Sequence, residues 1–522
     1  MKLVLLLFLS GIVTGVPFVF PDLSFLGYVS LLPLALLLFS KGRDAKIRQV
    51  LLWGLAWGMG FFLVIYHWFL AMYPLEFLSF TRGEAALAVA VCWILLSLLE
   101  TAHFLIVPLG YRLVRPSVAW TKPVVLAALW VLFEWAQTLT WMGVPWNKLA
   151  LGQYTDRVAL QTISLFGSYG LAAVLVLVNG FLALALLTPT DRKQLVRYGA
   201  LALGILTLNH GVGAALLLSH RNEGETVRVA AIQANIGSTD KWVGTNLTVV
   251  RKYVALTADA AAAGAKLVLW PETVVTSALT AEKRALITEC AQTCNVTILG
   301  GSFAYETNEA GETETYNAMF VAYPDGTIGD VRYDKQKLVP FGEYLPMQTF
   351  IETFLPVLAG MNVLGSDLSA GETATTIPTA FGSVGGMICY DSIYEDVALK
   401  SVRNGAALLA LITNDSWYLD SAAVWQHNGD SVLRAVEQGR WVVSAASTGI
   451  SAVISPTGEI VDMAEPLTAD IVYGDVTFET GRTLYSSIGN LAVAVAGVLL
   501  IAVFFTEIYL KKQQKDDDVS VN

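Results

Sequence analysis

The chain has 522 residues, of which 55% are hydrophobic and only 15% charged, whereas soluble domains are about a quarter charged. That balance excludes an all-soluble protein, and a formal net charge of −10 argues against nucleic acid as a partner. The apolar excess is confined to residues 1–219 and 488–509, while 224–480 has ordinary globular composition and is long enough for one substantial core.

A hydrocarbon core of ~30 Å needs roughly 17–25 apolar residues to cross it. Eight runs are read as spans: 3–20, 24–40, 50–72, 85–108, 123–143, 160–188, 198–218 and 488–509. In the long sixth run, Gly167 and Gly170 mark the expected start. The first run follows Lys2 as a secretory signal would, but no A-x-A-like site follows, so it is read as retained. Lys41, Arg43, Lys46 and Arg48 follow the second run; Arg112, Arg115 and Lys122 follow the fourth. Arg192, Lys193 and Arg197 follow the sixth, and Lys511, Lys512 and Lys515 the eighth. The alternate loops are poor in cations. The positive-inside rule then puts both termini and the 510–522 tail in the cytoplasm. The 224–480 domain faces outward, which in a bacterium with two membranes is the periplasm.

Within 224–480, strands are predicted at 227–236, 266–270, 296–301, 383–389, 407–413 and 441–447. Helices alternate with them at 247–263, 280–294, 393–403 and 428–439. A hairpin surrounds Pro324-Asp325-Gly326, another surrounds Pro456-Thr457-Gly458, and 340–370 is irregular. Continuously apolar strands alternating with helices mark a sheet covered on both faces. Two such sheets packed together give a four-layer αββα sandwich, although the pattern does not fix their pairing.

Three residues in this segment carry chemistry. Glu272 follows Trp270-Pro271 at a strand end. It reads either as a carboxylate at a helix N-terminus or as a general base against the wall of Trp270. Lys335 precedes a proline-fixed loop, and reads as a solvated lysine or as a cation for a thiolate and an oxyanion. Glu343, eight residues on, is placed to orient it. Cys389 ends an apolar strand after Gly385-Gly386. It reads as a buried structural cysteine or as a nucleophile whose strand-end exposure, helix N-terminus and nearby cation lower the thiol pKa. A papain-like Cys389–His427–Asn428 set is disfavoured, because adjacent His and Asn rarely face one third residue. Cys92 is read as packing within a span. Cys290 and Cys294 stand i,i+4 on a helix, a spacing that suits a disulfide poorly, and pairing is left open. No spacing indicates zinc, and no metal or organic cofactor is expected.

The order Glu272, Lys335, Cys389 resembles the Glu-Lys-Cys triad of the nitrilase superfamily. Trp270-Pro-Glu-Thr273, Tyr333-Asp-Lys-Gln-Lys-Leu-Val-Pro-Phe-Gly-Glu-Tyr-Leu-Pro346, Ile388-Cys-Tyr390 and Asn414-Asp-Ser-Trp417 resemble apolipoprotein N-acyltransferases. Gly143-Val-Pro-Trp146, Gly167-Ser-Tyr-Gly170 and Val178-Asn179 look like family positions in the membrane part, and Trp242 matches a tryptophan near the family's lipid site. The resemblance implies eight spans with the nitrilase-like domain between the seventh and eighth. Asp391 stands where the family usually has glutamate, Gln137 replaces a common arginine, and Ser416 and Tyr418 depart from the family's Asn-Asp-Ala-Trp-Phe-Gly.

The resemblance also implies a reaction. Glu272 takes the proton of Cys389, whose thiolate attacks an ester of a phospholipid. Lys335 and the Tyr390 amide hold the oxyanion. The thioester then passes its acyl chain to the α-amine of a diacylglyceryl-cysteine at a lipoprotein N-terminus. Phe341, Tyr344, Phe350, Phe354, Leu355, Leu358 and Met361 form a candidate lid over the site. The competing enzyme reading is a membrane-anchored amidase using the same triad with water as acceptor. A transporter or lipid-binding scaffold with a dead enzyme domain is a third reading. Glu100, His103 and Glu134, within predicted spans, are read as buried polar contacts.

Overall fold

The computed structural model describes every residue except 76–79, 222–223, 238–239, 243–244, 355–366 and 521–522. The chain divides into two compact units: Met1–Leu70 with Ala88–Ser219 and Ile488–Asn522, and Ala71–Leu87 with His220–Ser487.

The first unit is helical. Six of its helical segments are long and apolar enough to cross a membrane among the described residues: Pro21–Gly42, Ile47–Met72, Arg82–Val114, Ile163–Leu187, Arg192–Ser219 and Leu491–Gln514. Two expected spans come out short. The first is the apolar helix Lys2–Phe18. It runs against Ile47–Ile65, where Gly11 meets the backbone of Trp57 and Phe61, and Gly60 meets the backbone of Phe8. No Cβ fits at either contact, which is how small residues bring membrane helices together. The fifth is a 16-residue helix, Thr121–Ala136, followed by irregular backbone. The physical reason lies in two carboxylates. Glu100 accepts the Val144 N–H at 2.9 Å and the side-chain amide of Gln137, and Glu134 accepts the Leu149 N–H at 2.8 Å and the Trp130 indole at 3.0 Å. Non-helical backbone is tolerated in an apolar layer only where protein groups satisfy its amides. Glu100 and Glu134 are fully buried, and His103 lies 3.3 Å from Glu100. In the sixth run Gly167, at φ 69°, breaks the helix near its start. Cys92 lies on an exposed helix face.

The second unit holds two six-stranded sheets. The strands are β1 (Thr226–Gln233), β2 (Leu267–Leu269), β3 (Thr297–Thr307), β4 (Thr313–Ala322), β5 (Tyr333–Asp334), β6 (Thr376–Thr379), β7 (Gly382–Ile388), β8 (Leu408–Thr413), β9 (Val442–Ala446), β10 (Ala452–Ile454), β11 (Ile460–Met463) and β12 (Asp470–Thr477). The first sheet runs β12-β1-β2-β3-β4-β5 and the second β11-β10-β9-β8-β7-β6. In each, three neighbouring strands are parallel, β1-β2-β3 and β7-β8-β9, with antiparallel strands outside them. The parallel strands are the continuously apolar ones, as burial on both faces requires. Helices Leu247–Ala262 and Ala281–Cys294 pack beside the first sheet; Glu395–Arg403 and Ala422–Gln438 pack beside the second. Strands of the two sheets touch where a side chain is missing: Gly386 faces the Tyr333 ring, and Gly474 faces Val453.

Cys290 and Cys294 are free thiols, and burial pushes Cys290 up to about 12. Residues Leu355, Leu358 and Met361 of the expected lid lie outside the described residues, as do the side chains of Phe350 and Phe354. Phe341 is partly exposed, and Tyr344 stands beside it, where the Phe341 N–H donates to the Tyr344 carbonyl at 2.8 Å.

Candidate active site

The site forms where the ends of β2, β5 and β7 converge. Past β2 the chain reaches Trp270, whose N–H still donates to Leu299 in β3 at 2.8 Å. Pro271 then ends the ladder, since it has no N–H to donate. Thr273 sits at φ 47°, a left-handed conformation that is strained for a β-branched residue. Gly301 in β3 makes room for this turn, because a Cβ there would collide with the Pro271 carbonyl and the Thr273 amide. Lys241 pins the turn from outside. Its ammonium bonds the Thr273 hydroxyl and reaches the Glu272 carbonyl at 3.4 Å. The result is a buried Glu272 carboxylate held toward Asn317 and Lys335.

Trp270 does not wall the base. Its ring packs on Tyr253 and Phe320, with centroids 5.6 Å and 6.4 Å away, and its indole donates to Thr257 at 2.9 Å. The groups that meet Glu272 are polar. Asn317 donates to its Oε1 at 2.7 Å, and Lys335 Nζ lies 3.3 Å from the same oxygen.

Lys335 follows β5, with its N–H donating to the Asn317 carbonyl at 2.9 Å. Its ammonium is 1% exposed and lies 2.7 Å from Glu343 Oε1. A lysine this deeply buried is the exception for its type, and pairing explains it. Burial opposes its charge, but Glu272 and Glu343 overcome that and hold the ammonium well above its ordinary range. Glu343 is itself fixed by the Val339 N–H at 2.8 Å. Asn317 also reaches Glu343, at 3.3 Å, so one amide spans both carboxylates.

Cys389 follows β7 directly and starts a five-residue 3-10 turn, Cys389–Ile393. Its φ is 49°, a second strained left-handed residue at the same site. Asp391 locks that turn. Its Oδ2 accepts from the Tyr333 hydroxyl at 2.8 Å and the Ile388 N–H at 3.0 Å, and its Oδ1 accepts from the Gln336 and Lys337 amides at 3.2 and 2.8 Å. The short aspartate thus ties the nucleophile's turn to the loop that carries Lys335. Tyr333 reaches it only because Gly386 offers no side chain in the way. Burial pushes Asp391 up to about 6, with Lys335 and these donors pulling the other way. Asp391→Asn is expected to strand one buried N–H against an amide NH2, costing about 1–3 kcal/mol. Thermal unfolding of the purified protein in detergent measures that loss.

The thiol is not the low-pKa group its position suggests. Burial pushes Cys389 far up, Glu272 and Asp415 add to this, and only Lys335 and the Thr413 hydroxyl oppose it. These influences favour the protonated thiol, so a base at the site has a proton to remove. Tyr390 is buried, its ring edge-on to Tyr394 with centroids 5.4 Å apart. Trp242 ends the turn Asp240–Trp242, is 46% exposed, and lies 6.0 Å from the Phe303 ring.

Four neighbours were not singled out in the sequence: Lys241, Asn317, Asp415 and, in any role here, His427. Lys241 precedes Trp242 and is pushed down to about 8 by burial, against the attraction of Glu272 and Cys389. Asn317 stands at the polar end of the apolar run Ala318–Ala322. His427 faces the Cys389 carbonyl, not its sulfur, at 3.1 Å, so no papain-like pair forms. Asn428 makes no side-chain hydrogen bond among the described residues.

Residues 228–485 match the carbon-nitrogen hydrolase family, and residues 10–181 match the apolipoprotein N-acyltransferase N-terminal domain. An apolipoprotein N-acyltransferase of Gloeobacter violaceus is 31% identical over 481 residues, spanning 91% of this chain and 88% of that protein. The chain belongs to the apolipoprotein N-acyltransferase family. A second apolipoprotein N-acyltransferase, from Geobacter metallireducens, is 29% identical over 505 residues, 95% of this chain and 93% of its own. Among solved structures, a Saccharomyces cerevisiae member of branch 10 of the nitrilase superfamily aligns with 52% of this chain and 97% of its own, at 18% identity and a TM-score of 0.39. Both halves of the apolipoprotein N-acyltransferase pattern are thus present in one chain.

Proposed function

We propose that this chain transfers a fatty acyl group from a phospholipid, through a thioester on Cys389, to the α-amine of the diacylglyceryl-cysteine at an apolipoprotein N-terminus. The observation that carries the reading is the buried Glu272–Lys335–Glu343 cluster acting on a thiol in a strained turn. Glu272 takes the thiol proton, and the thiolate attacks the ester carbonyl. Lys335 and the Tyr390 N–H receive the oxyanion. The ester C–O bond breaks, the proton on Glu272 passes to the departing alkoxide, and a lysophospholipid leaves. The lipoprotein amine then attacks the thioester, Glu272 takes its proton, and the thiol re-forms as an amide is released. Splitting the transfer at a thioester replaces one hard step with two easier ones.

Family membership and apolar helices support a multi-pass bacterial membrane protein. The finer arrangement is eight spans, both termini cytoplasmic, and a periplasmic αββα catalytic domain over 224–480. The spans fill 1–219 and 488–509, and 510–522 is the cytoplasmic tail. Trp242 contacts lipid, and Phe341 and Tyr344 help to shield the thioester from water. The amidase alternative uses the same triad, and the acceptor separates the two. Intact-protein mass spectrometry after incubation with phospholipid alone is expected to find one acyl chain on Cys389. Adding a diacylglyceryl peptide with a free amine should discharge it as amide. Loss of the acyl group to water at the same rate with or without the peptide sinks the transferase reading.

A further inference from the structure

The peptide that joins Cys389 to Tyr390 has two ends. Its N–H faces the reaction in the mechanism above. Its carbonyl points into the second sheet's own polar interior, where His427 waits on the buried helix Ala422–Gln438. His427 Nε2 lies 3.1 Å from that carbonyl and 2.7 Å from the Ser392 hydroxyl. Its Nδ1 lies 2.9 Å from Asp415 Oδ1, which the Thr413 hydroxyl also bonds, at 3.0 Å. Ser392 donates its own hydrogen to the Cys389 carbonyl at 3.0 Å.

The donors and acceptors around the ring favour its charged form. A carboxylate and a peptide carbonyl only accept. A neutral imidazole would turn a lone pair toward one of them. With both nitrogens protonated, each of these contacts is a donor–acceptor pair, whereas a neutral ring that accepts from the Ser392 hydroxyl leaves its lone pair beside the Cys389 carbonyl. His427 is 3% exposed and Asp415 2%, so neither is screened by bulk water. Burial opposes the charge, but Asp415 overcomes it, Asp430 adds a second negative charge, and the ring is held above its usual range.

We propose that His427 is a positioning residue for acyl transfer: as an imidazolium fixed by Asp415, it hydrogen-bonds the Cys389 carbonyl and so holds and strengthens the Tyr390 N–H that receives the oxyanion. A cation on the carbonyl oxygen polarises the whole amide, and hydrogen-bonded chains reinforce one another. The same contact fixes the peptide plane that follows the strained Cys389. The inference rests on the thioester reading of Cys389 given above.

Two reactions of the same sulfur separate this role from simple scaffolding. Acylation by a phospholipid ester builds an oxyanion; alkylation by iodoacetamide does not. In the full-length protein with phosphatidylethanolamine in mixed micelles, His427→Gln is expected to slow acyl-enzyme formation about tenfold or more, toward the loss seen when an oxyanion donor is removed. Iodoacetamide labelling of Cys389 should stay within about twofold, since it draws nothing from that donor. Asp415→Asn keeps the shape of the pair and should slow acylation in the same way, while alkylation holds level or rises, because Asp415 helps push the thiol up. The inference is overturned if both variants acylate at the unaltered rate. It is equally overturned if acylation and alkylation fall by the same factor in both variants, which is the signature of a scaffold. If the unaltered protein labels with iodoacetamide yet never acylates, the thioester reading fails first and takes this inference with it.

Discussion

Cys389→Ser is expected to abolish the thioacyl-enzyme and to lower lipoprotein acylation by on the order of 10³-fold or more, the scale on which removal of a nucleophile acts. The substitution changes one atom and leaves the strained turn available, since serine meets the same φ of 49°. The site already pushes a thiol far up by burial and by the charge of Glu272. A hydroxyl starts several units higher and gains no more from Lys335. Any ester it did form would be a poorer acyl donor to an amine than a thioester. Mass spectrometry of the variant after incubation with phospholipid should find no added acyl chain. Triacylated product at the unaltered rate would remove Cys389 from the mechanism.

Glu272, Lys335 and Cys389 could be singled out in the sequence because each carries a local signature. Pro271 before Glu272 and the loop after Lys335 are breaks in the sheet, and Cys389 directly follows the last residue of β7, in which Gly385 and Gly386 stay paired with Leu409 and Ala410. Such breaks are where backbone leaves a sheet and frees side chains to meet one another beyond its end. Asn317, Lys241 and His427 have no such mark. Each joins the site through tertiary contact alone: Asn317 from mid-ladder in β4, Lys241 from a turn far from β2 in the chain, and His427 from a helix buried along its length. The thiol was misjudged for a related reason. Sequence shows the nearby cation and the turn, but not the two carboxylates, Glu272 and Asp415, that oppose the cation around a partly exposed sulfur. The membrane unit repeats the lesson. Hydropathy over 123–143 cannot reveal that Glu100 and Glu134 stand ready to satisfy an unwound backbone, so a continuous span was expected where a helix stops at Ala136.

Glu272→Gln separates the base from the charge that surrounds it. The amide keeps the size of the side chain and one oxygen for Asn317 and Lys335, at 2.7 and 3.3 Å in the unaltered site. It loses the ability to take a proton from the thiol and from the incoming amine. Acyl transfer is expected to fall by about 10²–10⁴-fold, the usual share of a general base. The thiol should respond in the opposite sense. Glu272 raises its pKa and Lys335 lowers it, so removing the carboxylate leaves Lys335 less opposed. The thiolate then forms at lower pH, and the pH profile of iodoacetamide alkylation at Cys389 should move to lower pH. Unfolding would also release the thiol from burial and move the profile to lower pH, so unaltered thermal unfolding of the variant is the control that assigns the shift to the lost carboxylate. Transfer at the unaltered rate, or an alkylation profile that moves to higher pH, would take the base role away from Glu272.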